Sequence, residues 1–164
     1  MSTAPFPRLA KYTRLYGNLH VEGLTVLDLG AANGDTAYFF LSRGAARVVT
    51  FEAKAALRRS LEAYFHGDYR VESHGAFTGR IVEADVMKMD IEGAERKYHS
   101  EELLDYYPQW TVGLHPMFIA EKRYVQLVGF LTKRGAYYLG SDGPFEGLYS
   151  TNPPLGVSRR LSIE

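Results

Sequence analysis

Residues 26–52, VLDLGAANGDTAYFFLSRGAARVVTFE, constrain the fold more than any other part of this 164-residue chain. An apolar run over 24–29 ends at Gly30. Its short length and branched residues predict a buried strand. A glycine-bearing turn over 30–34 then opens a helix over 35–43, and Gly44 stops it. Residues 47–51, RVVTF, read as a second strand. A second helix over 53–65 places Ala56, Leu57, Leu61, Tyr64 and Phe65 at helical spacing. Strand, helix, strand, helix in that order predicts a parallel sheet with right-handed crossovers.

The flanking sequence extends the pattern. Residues 7–20 read as a helix with Leu9, Tyr12, Leu15 and Tyr16 on one side. A short strand over 69–73, a loop marked by Gly75 and Gly79, and a strand over 85–89 follow. A helix over 101–107 closes at Pro108, and a strand over 110–114 comes next. The clearest amphipathic helix covers 121–134, with Tyr124, Leu127, Val128 and Leu131 in one stripe, and Gly135 ends it. Strands over 136–139 and 145–149 pair as an antiparallel hairpin around Ser141, Asp142, Gly143 and Pro144. The expected organisation is one domain: an N-terminal helical segment (1–23), a core (24–150) and a tail (151–164).

Composition excludes several functions. Nineteen Lys plus Arg balance nineteen Asp plus Glu. That balance does not favour a nucleic-acid partner, because such proteins usually carry a basic excess. The absence of Cys rules out disulfides, thiolate metal sites and thiol nucleophiles. No apolar stretch reaches the roughly 18 residues of a membrane span, and the start has no secretory-signal order. A cytoplasmic location is the expectation.

The turn and its flanking acids carry chemistry. Asp28 closes the first strand and Glu52 the second. A carboxylate at the end of the second strand can accept both hydroxyls of a ribose, and ligands of open α/β sheets lie outside the carboxyl ends of the strands. The dinucleotide pattern needs G-x-G-x-x-G. Here the spacing from Gly30 to Gly34 is G-x-x-x-G, with Ala32 at the middle glycine position. Asp28 beside the turn repels a pyrophosphate and suits an ammonium. A nucleoside cofactor with an ammonium and no phosphate is S-adenosylmethionine.

A second segment, Lys88-Met89-Asp90-Ile91-Glu92-Gly93-Ala94-Glu95, carries a lysine, an apolar residue, then D-x-E-G-x-E. With LDLGAANGDTAYFF ahead of it, the chain resembles the FkbM family of S-adenosylmethionine-dependent methyltransferases over about residues 24–52 and 85–140. The resemblance implies an α/β, Rossmann-like class I methyltransferase fold: a three-layer sandwich around a mostly parallel sheet with a C-terminal antiparallel hairpin. It implies O-methylation of a hydroxyl on a sugar, glycan or small metabolite. Carried over by position, Asp28, Gly30, Ala31, Asn33 and Gly34 hold the methionine end and Glu52 the ribose. The stretch 74–77, with Ala76, approaches the adenine. Asp90, Glu92 and Glu95 lie at the reacting face or support it.

Methyl transfer to an alcohol needs alignment and removal of the hydroxyl proton. Asp90 ends a central strand, and Glu92 follows two residues later. His115 ends the next strand, and its reference pKa of about 6.5 suits a general base. Asp90, Glu92 and His115 are therefore the catalytic candidates. A divalent ion held by these three is the less favoured use. Glu95 can instead cap the following helix or pair with Arg96 or Lys97. The aromatic residues Tyr106, Tyr107, Trp110, Phe118 and Tyr149 suit either burial or a sugar-stacking wall. Little chain precedes the first strand, so a lid has to be small or come from a second copy in a homodimer. Two other functions stay open: a non-catalytic cofactor-binding subunit, and an NAD-linked oxidoreductase, which the glycine spacing disfavours.

Overall fold

The computed structural model describes residues 9–98, 101–140 and 147–151. Seven strands form one sheet: β1 (Thr25–Leu29), β2 (Arg47–Phe51), β3 (Val71–His74), β4 (Val86–Met89), β5 (Gln109–Leu114), β6 (Tyr137–Gly140) and β7 (Gly147–Ser150). Their spatial order is β3-β2-β1-β4-β5-β7-β6. The first five are parallel, and β7 inserts antiparallel between β5 and β6. This is the Rossmann-like methyltransferase arrangement. The turn expected at 141–144 lies outside the described residues.

The helices are α1 (Leu9–Tyr16), α2 (Asp35–Ser42), α3 (Ala55–Tyr64), α4 (Glu95–Tyr98), α5 (Glu101–Tyr106) and α6 (Glu121–Lys133), with a short 3-10 turn at Pro116–Phe118. Alternation along the central strands divides the core. Leu27, Leu29, Met87 and Met89 face Leu103, Leu104, Leu127 and Leu131 of α5 and α6. Val26, Val48 and Val86 face Tyr12, Leu15 and Tyr16 of α1 and Ala37, Phe39 and Phe40 of α2. Each side chain of this size contributes roughly 1.5–3 kcal/mol when fully buried. The period-two pattern thus fixes which side of the sheet each helix covers. No helix among the described residues is long and apolar enough to cross a membrane.

Two short elements escape the sequence pattern, α4 and the turn at 116–118. Four residues and three residues give no measurable helical period. Both lie at the carboxyl ends of β4 and β5, where they shape the loops over the candidate site.

Candidate functional site

Strand ends converge on a cavity of about 330 Å³. It opens at the carboxyl ends of β1, β2 and β4 and is roofed by α1. Gly30, Ala31, Ala32, Glu52, Ala76 and Asp90 line it. So do Tyr12, Tyr16, Asp35, Lys88 and Glu92. The cavity therefore gathers four of the expected cofactor residues of the loops, Gly30, Ala31, Glu52 and Ala76, and the expected reacting-face residues Asp90 and Glu92. Asp28, Asn33, Gly34 and the catalytic candidate His115 are not among its walls.

The glycines act on the protein's own backbone. Gly30 has φ +84°, and a Cβ there would lie 1.8 Å from the Asp90 carbonyl oxygen. Its bareness lets the turn after β1 close against the end of β4. Gly34 has φ +99°, and a Cβ there would meet the Phe65 ring at 2.8 Å. The missing side chains of these two glycines make room for Asp90 and α3. Ala31 and Ala32 line the cavity, and Ala32 takes φ +49°.

Glu52 is nearly buried and held from two sides. Its Oε2 accepts the Ala32 N–H at 2.9 Å, and its Oε1 accepts the Lys54 N–H at 2.7 Å. Each oxygen keeps acceptor capacity for a further donor. Phe51, Leu57, Ala76 and Phe77 form the apolar wall beyond it. The His74 ring stacks on the outer side of Phe51, 4.8 Å between centroids at 22°.

Asp28 sits deeper than the sequence suggested. It pairs in register with Lys88 of β4, and both point to the α1–α2 side of the sheet. The carboxylate is fully buried. Thr36 Oγ1 donates to its Oδ2 at 2.5 Å, and Lys88 Nζ lies 3.0 Å from its Oδ1. The same ammonium donates to the carbonyls of Gly30 at 2.8 Å and Leu29 at 3.4 Å. It also lies 5.9 Å from the centre of the Tyr16 ring.

At the other end of the cavity, Tyr16 donates its hydroxyl to Asp90 Oδ2 at 3.2 Å. Asp90 Oδ1 is 3.5 Å from His115 Nε2. The opposite ring nitrogen, Nδ1, is 2.9 Å from Glu95 Oε1. A carboxylate only accepts, so Nδ1 carries the proton in that bond. Glu95 has no exposed surface, and it also accepts the N–H groups of Ile91 at 3.0 Å and Gly93 at 2.6 Å. Glu95 therefore clamps the loop after β4 and fixes the imidazole. Its neighbour Glu92 points elsewhere, at φ +51°, and joins exposed Lys54 at 3.0 Å across the cavity rim. That hydrogen bond and charge hold the Lys54 ammonium above its ordinary pKa.

The oxygen–nitrogen group that converges is Asp90, Glu95 and His115, with candidate ligand atoms within 4.8 Å of one another. Glu92 does not belong to it. Glu95 already accepts two backbone N–H groups and the imidazole proton, which leaves this group better suited to holding a base than a cation. The aromatic wall divides: Tyr107, Trp110 and Tyr149 are buried, while Tyr106 and Phe118 are exposed. Phe118 packs 6.2 Å from the His115 ring and over Gly93.

No protein-family model matches the chain. It is 31% identical over 136 residues to "Uncharacterized protein 65" of Sulfolobus islandicus filamentous virus, spanning 81% of this chain and 84% of that one. It is 27% identical over 105 residues to "Uncharacterized protein 158B" of Sulfolobus islandicus rod-shaped virus 1, spanning 61% and 66%. Among solved structures it resembles an O-methyltransferase from Bacillus cereus in complex with S-adenosylhomocysteine: TM-score 0.61, 14% identity, 93% of this chain and 84% of that one. It also resembles the Methanococcus jannaschii fibrillarin pre-rRNA processing protein, TM-score 0.64 at 13% identity, over 88% and 74%. Aeropyrum pernix fibrillarin with natively bound S-adenosylmethionine matches at TM-score 0.59 and 14% identity, over 79% and 66%. At these identities the likeness to the solved structures is one of fold.

Proposed function

The chain belongs to the family of uncharacterized protein 65 of Sulfolobus islandicus filamentous virus, and we propose that it is an S-adenosylmethionine-dependent methyltransferase acting on a hydroxyl of a sugar, glycan or small metabolite. One observation carries the reading: a single cavity runs from Glu52 at the end of β2 to Asp90 at the end of β4, past the backbone of Ala31 and Ala32. The cavity fits a nucleoside with a charged amino-acid arm. A carboxylate is preset where a ribose binds, an apolar wall adjoins it, and a buried Asp35 oxygen lacks a hydrogen-bond donor among the described residues. The similarity of the Lys88–Glu95 segment to the FkbM pattern supports the oxygen acceptor.

Glu52 accepts the ribose hydroxyls, and its two backbone bonds fix its position. Ala76 and Phe77 flank the base. The bound cofactor supplies an electrophilic methyl group on a sulfonium. His115 takes the acceptor's hydroxyl proton at Nε2, while Glu95 holds Nδ1–H and sets the ring's orientation. The Asp90 charge, 3.5 Å away, stabilises the imidazolium that results. Tyr16 holds Asp90 in place through its hydroxyl. Exposed Phe118 offers the acceptor an apolar face beside His115.

Calorimetry with S-adenosylhomocysteine tests the cofactor assignment. Binding is expected, and Glu52→Ala weakens it by about tenfold or more through lost charge-assisted hydrogen bonds. No heat and no thermal shift with either cofactor form refutes the assignment. Methyl transfer from labelled cofactor to a panel of hydroxyl acceptors, abolished in His115→Ala with cofactor affinity retained, tests the oxygen chemistry.

A further inference from the structure

Lys88 occupies the seat an incoming ammonium would otherwise take. Its Nζ meets Asp28 Oδ1, the Gly30 carbonyl and the Leu29 carbonyl. The two carbonyls accept hydrogen bonds from this ammonium, and Asp28 Oδ1 stands beside it as an ion-pair partner without a hydrogen bond of its own among the described residues. Asp28 is also bound by Thr36 and has no exposed surface. A ligand's ammonium entering this end of the cavity must find another anion.

Asp35 provides one. It is the first residue of α2, lines the same cavity and is 8% exposed. Tyr12 donates its hydroxyl to Oδ2 at 3.2 Å, which fixes the carboxylate from the α1 side. Oδ1 is buried and meets no donor among the described residues. A half-satisfied buried carboxylate is unfavourable by itself, and a cationic donor corrects it. Resting on the cofactor reading above, we propose that Asp35, and not Asp28, binds the α-ammonium of the cofactor's amino-acid arm. Lys88 serves as an internal ammonium that keeps Asp28 and the turn after β1 in place. Lys11 also lines the cavity, with its ammonium 5.9 Å from the Tyr12 ring centre. The competing role for Asp35 is therefore a counter-charge to Lys11.

Three ligands separate these roles by calorimetry on the full chain. S-adenosylhomocysteine carries ammonium and carboxylate. Decarboxylated S-adenosylhomocysteine keeps only the ammonium. Methylthioadenosine has neither. Asp35→Asn should weaken the first two by about tenfold and leave methylthioadenosine within about twofold. Tyr12→Phe, which releases the carboxylate without removing it, should give a smaller loss confined to the same two ligands. It stands in should Asp35→Asn fold poorly. Equal losses for all three ligands, or no loss for any, overturn the proposal. If the unaltered protein binds none of the three, the cofactor reading itself fails and takes this inference with it.

Discussion

Replacing Glu95 by glutamine changes one atom in a fully buried clamp, and the consequences can be worked from three bonds. Oε1 accepts the Ile91 N–H and the His115 Nδ1–H, while Oε2 accepts the Gly93 N–H. A glutamine amide has one acceptor oxygen and one NH2 group. With its oxygen on the Ile91 and His115 side, the NH2 faces the Gly93 N–H, donor against donor. Turned over, it opposes both Ile91 and His115, and only the imidazole can adapt by moving its proton to Nε2. Each arrangement thus mismatches one backbone donor, Gly93 in the first and Ile91 in the second. Either leaves a buried N–H without a partner, a cost of about 1–3 kcal/mol. Glu95→Ala strips all three donors and costs about 3 kcal/mol or more on the same scale. Urea unfolding of the three proteins gives the free energies, and imidazole 15N spectra report the tautomer of His115. The expected result is an Nδ1–H tautomer in the unaltered protein, with stability falling in the order stated. An Nε2–H tautomer in the unaltered protein, or a Glu95→Ala variant within about 1 kcal/mol of it, refutes the clamp and the orientation of the base that rests on it.

Lys88→Met strands Asp28 as a buried charge and should cost about 3–5 kcal/mol. Adding Asp28→Asn should recover part of that loss, so a single variant that unfolds like the unaltered protein contradicts the pairing. Burial pushes the phenols of Tyr107 and Tyr149 above their ordinary value. The unfolded chain then ionises first, so their contribution to stability is complete below about pH 10 and is lost as pH rises beyond it. Unfolding midpoints between pH 8 and 11 should fall at the alkaline end, and Tyr149→Phe should flatten that fall. Identical slopes for both proteins would remove burial of this phenol as its cause.

Local periodicity made most of the fold legible. Strands β1, β2, β4 and β5 and helices α2, α3 and α6 fall where hydrophobic spacing and glycine stops placed them, within two residues at the ends. Period and punctuation are properties of neighbouring residues, and a single sequence carries them. The site divides along the same line. Glu52, Ala76 and Asp90 could be expected at one cavity because each stands at or just past a strand end. Asp28 stands at such an end too, yet its partner depends on the register of β1 against β4, which sets Asp28 beside Lys88 across 60 residues of chain. Tyr12 and Tyr16 read correctly as the buried stripe of α1. That their hydroxyls reach Asp35 and Asp90 depends on how α1 docks, and helical spacing does not encode docking.

The D-x-E-G-x-E segment shows why residue type alone does not separate the roles within one motif. Three carboxylates stand within six residues, and chemistry by itself gives each the same claim to the reacting face. Backbone geometry separates them. Asp90 still follows the strand and looks along its end into the cavity. Glu92 and Gly93 take positive φ in succession, +51° and +95°. That reversal turns the Glu92 side chain out to Lys54 at the rim and folds the chain back, so that Glu95 comes under the loop it has just completed. The glycine at 93 is required twice, for its φ and because a Cβ there would lie 2.4 Å from Phe118 Cβ. One tight reversal thus assigns Asp90 to the cavity, Glu92 to its edge and Glu95 to the buried support of His115. The spacing of the motif is a record of that reversal, and the acids at its two ends can face the same histidine only because the middle one is turned away.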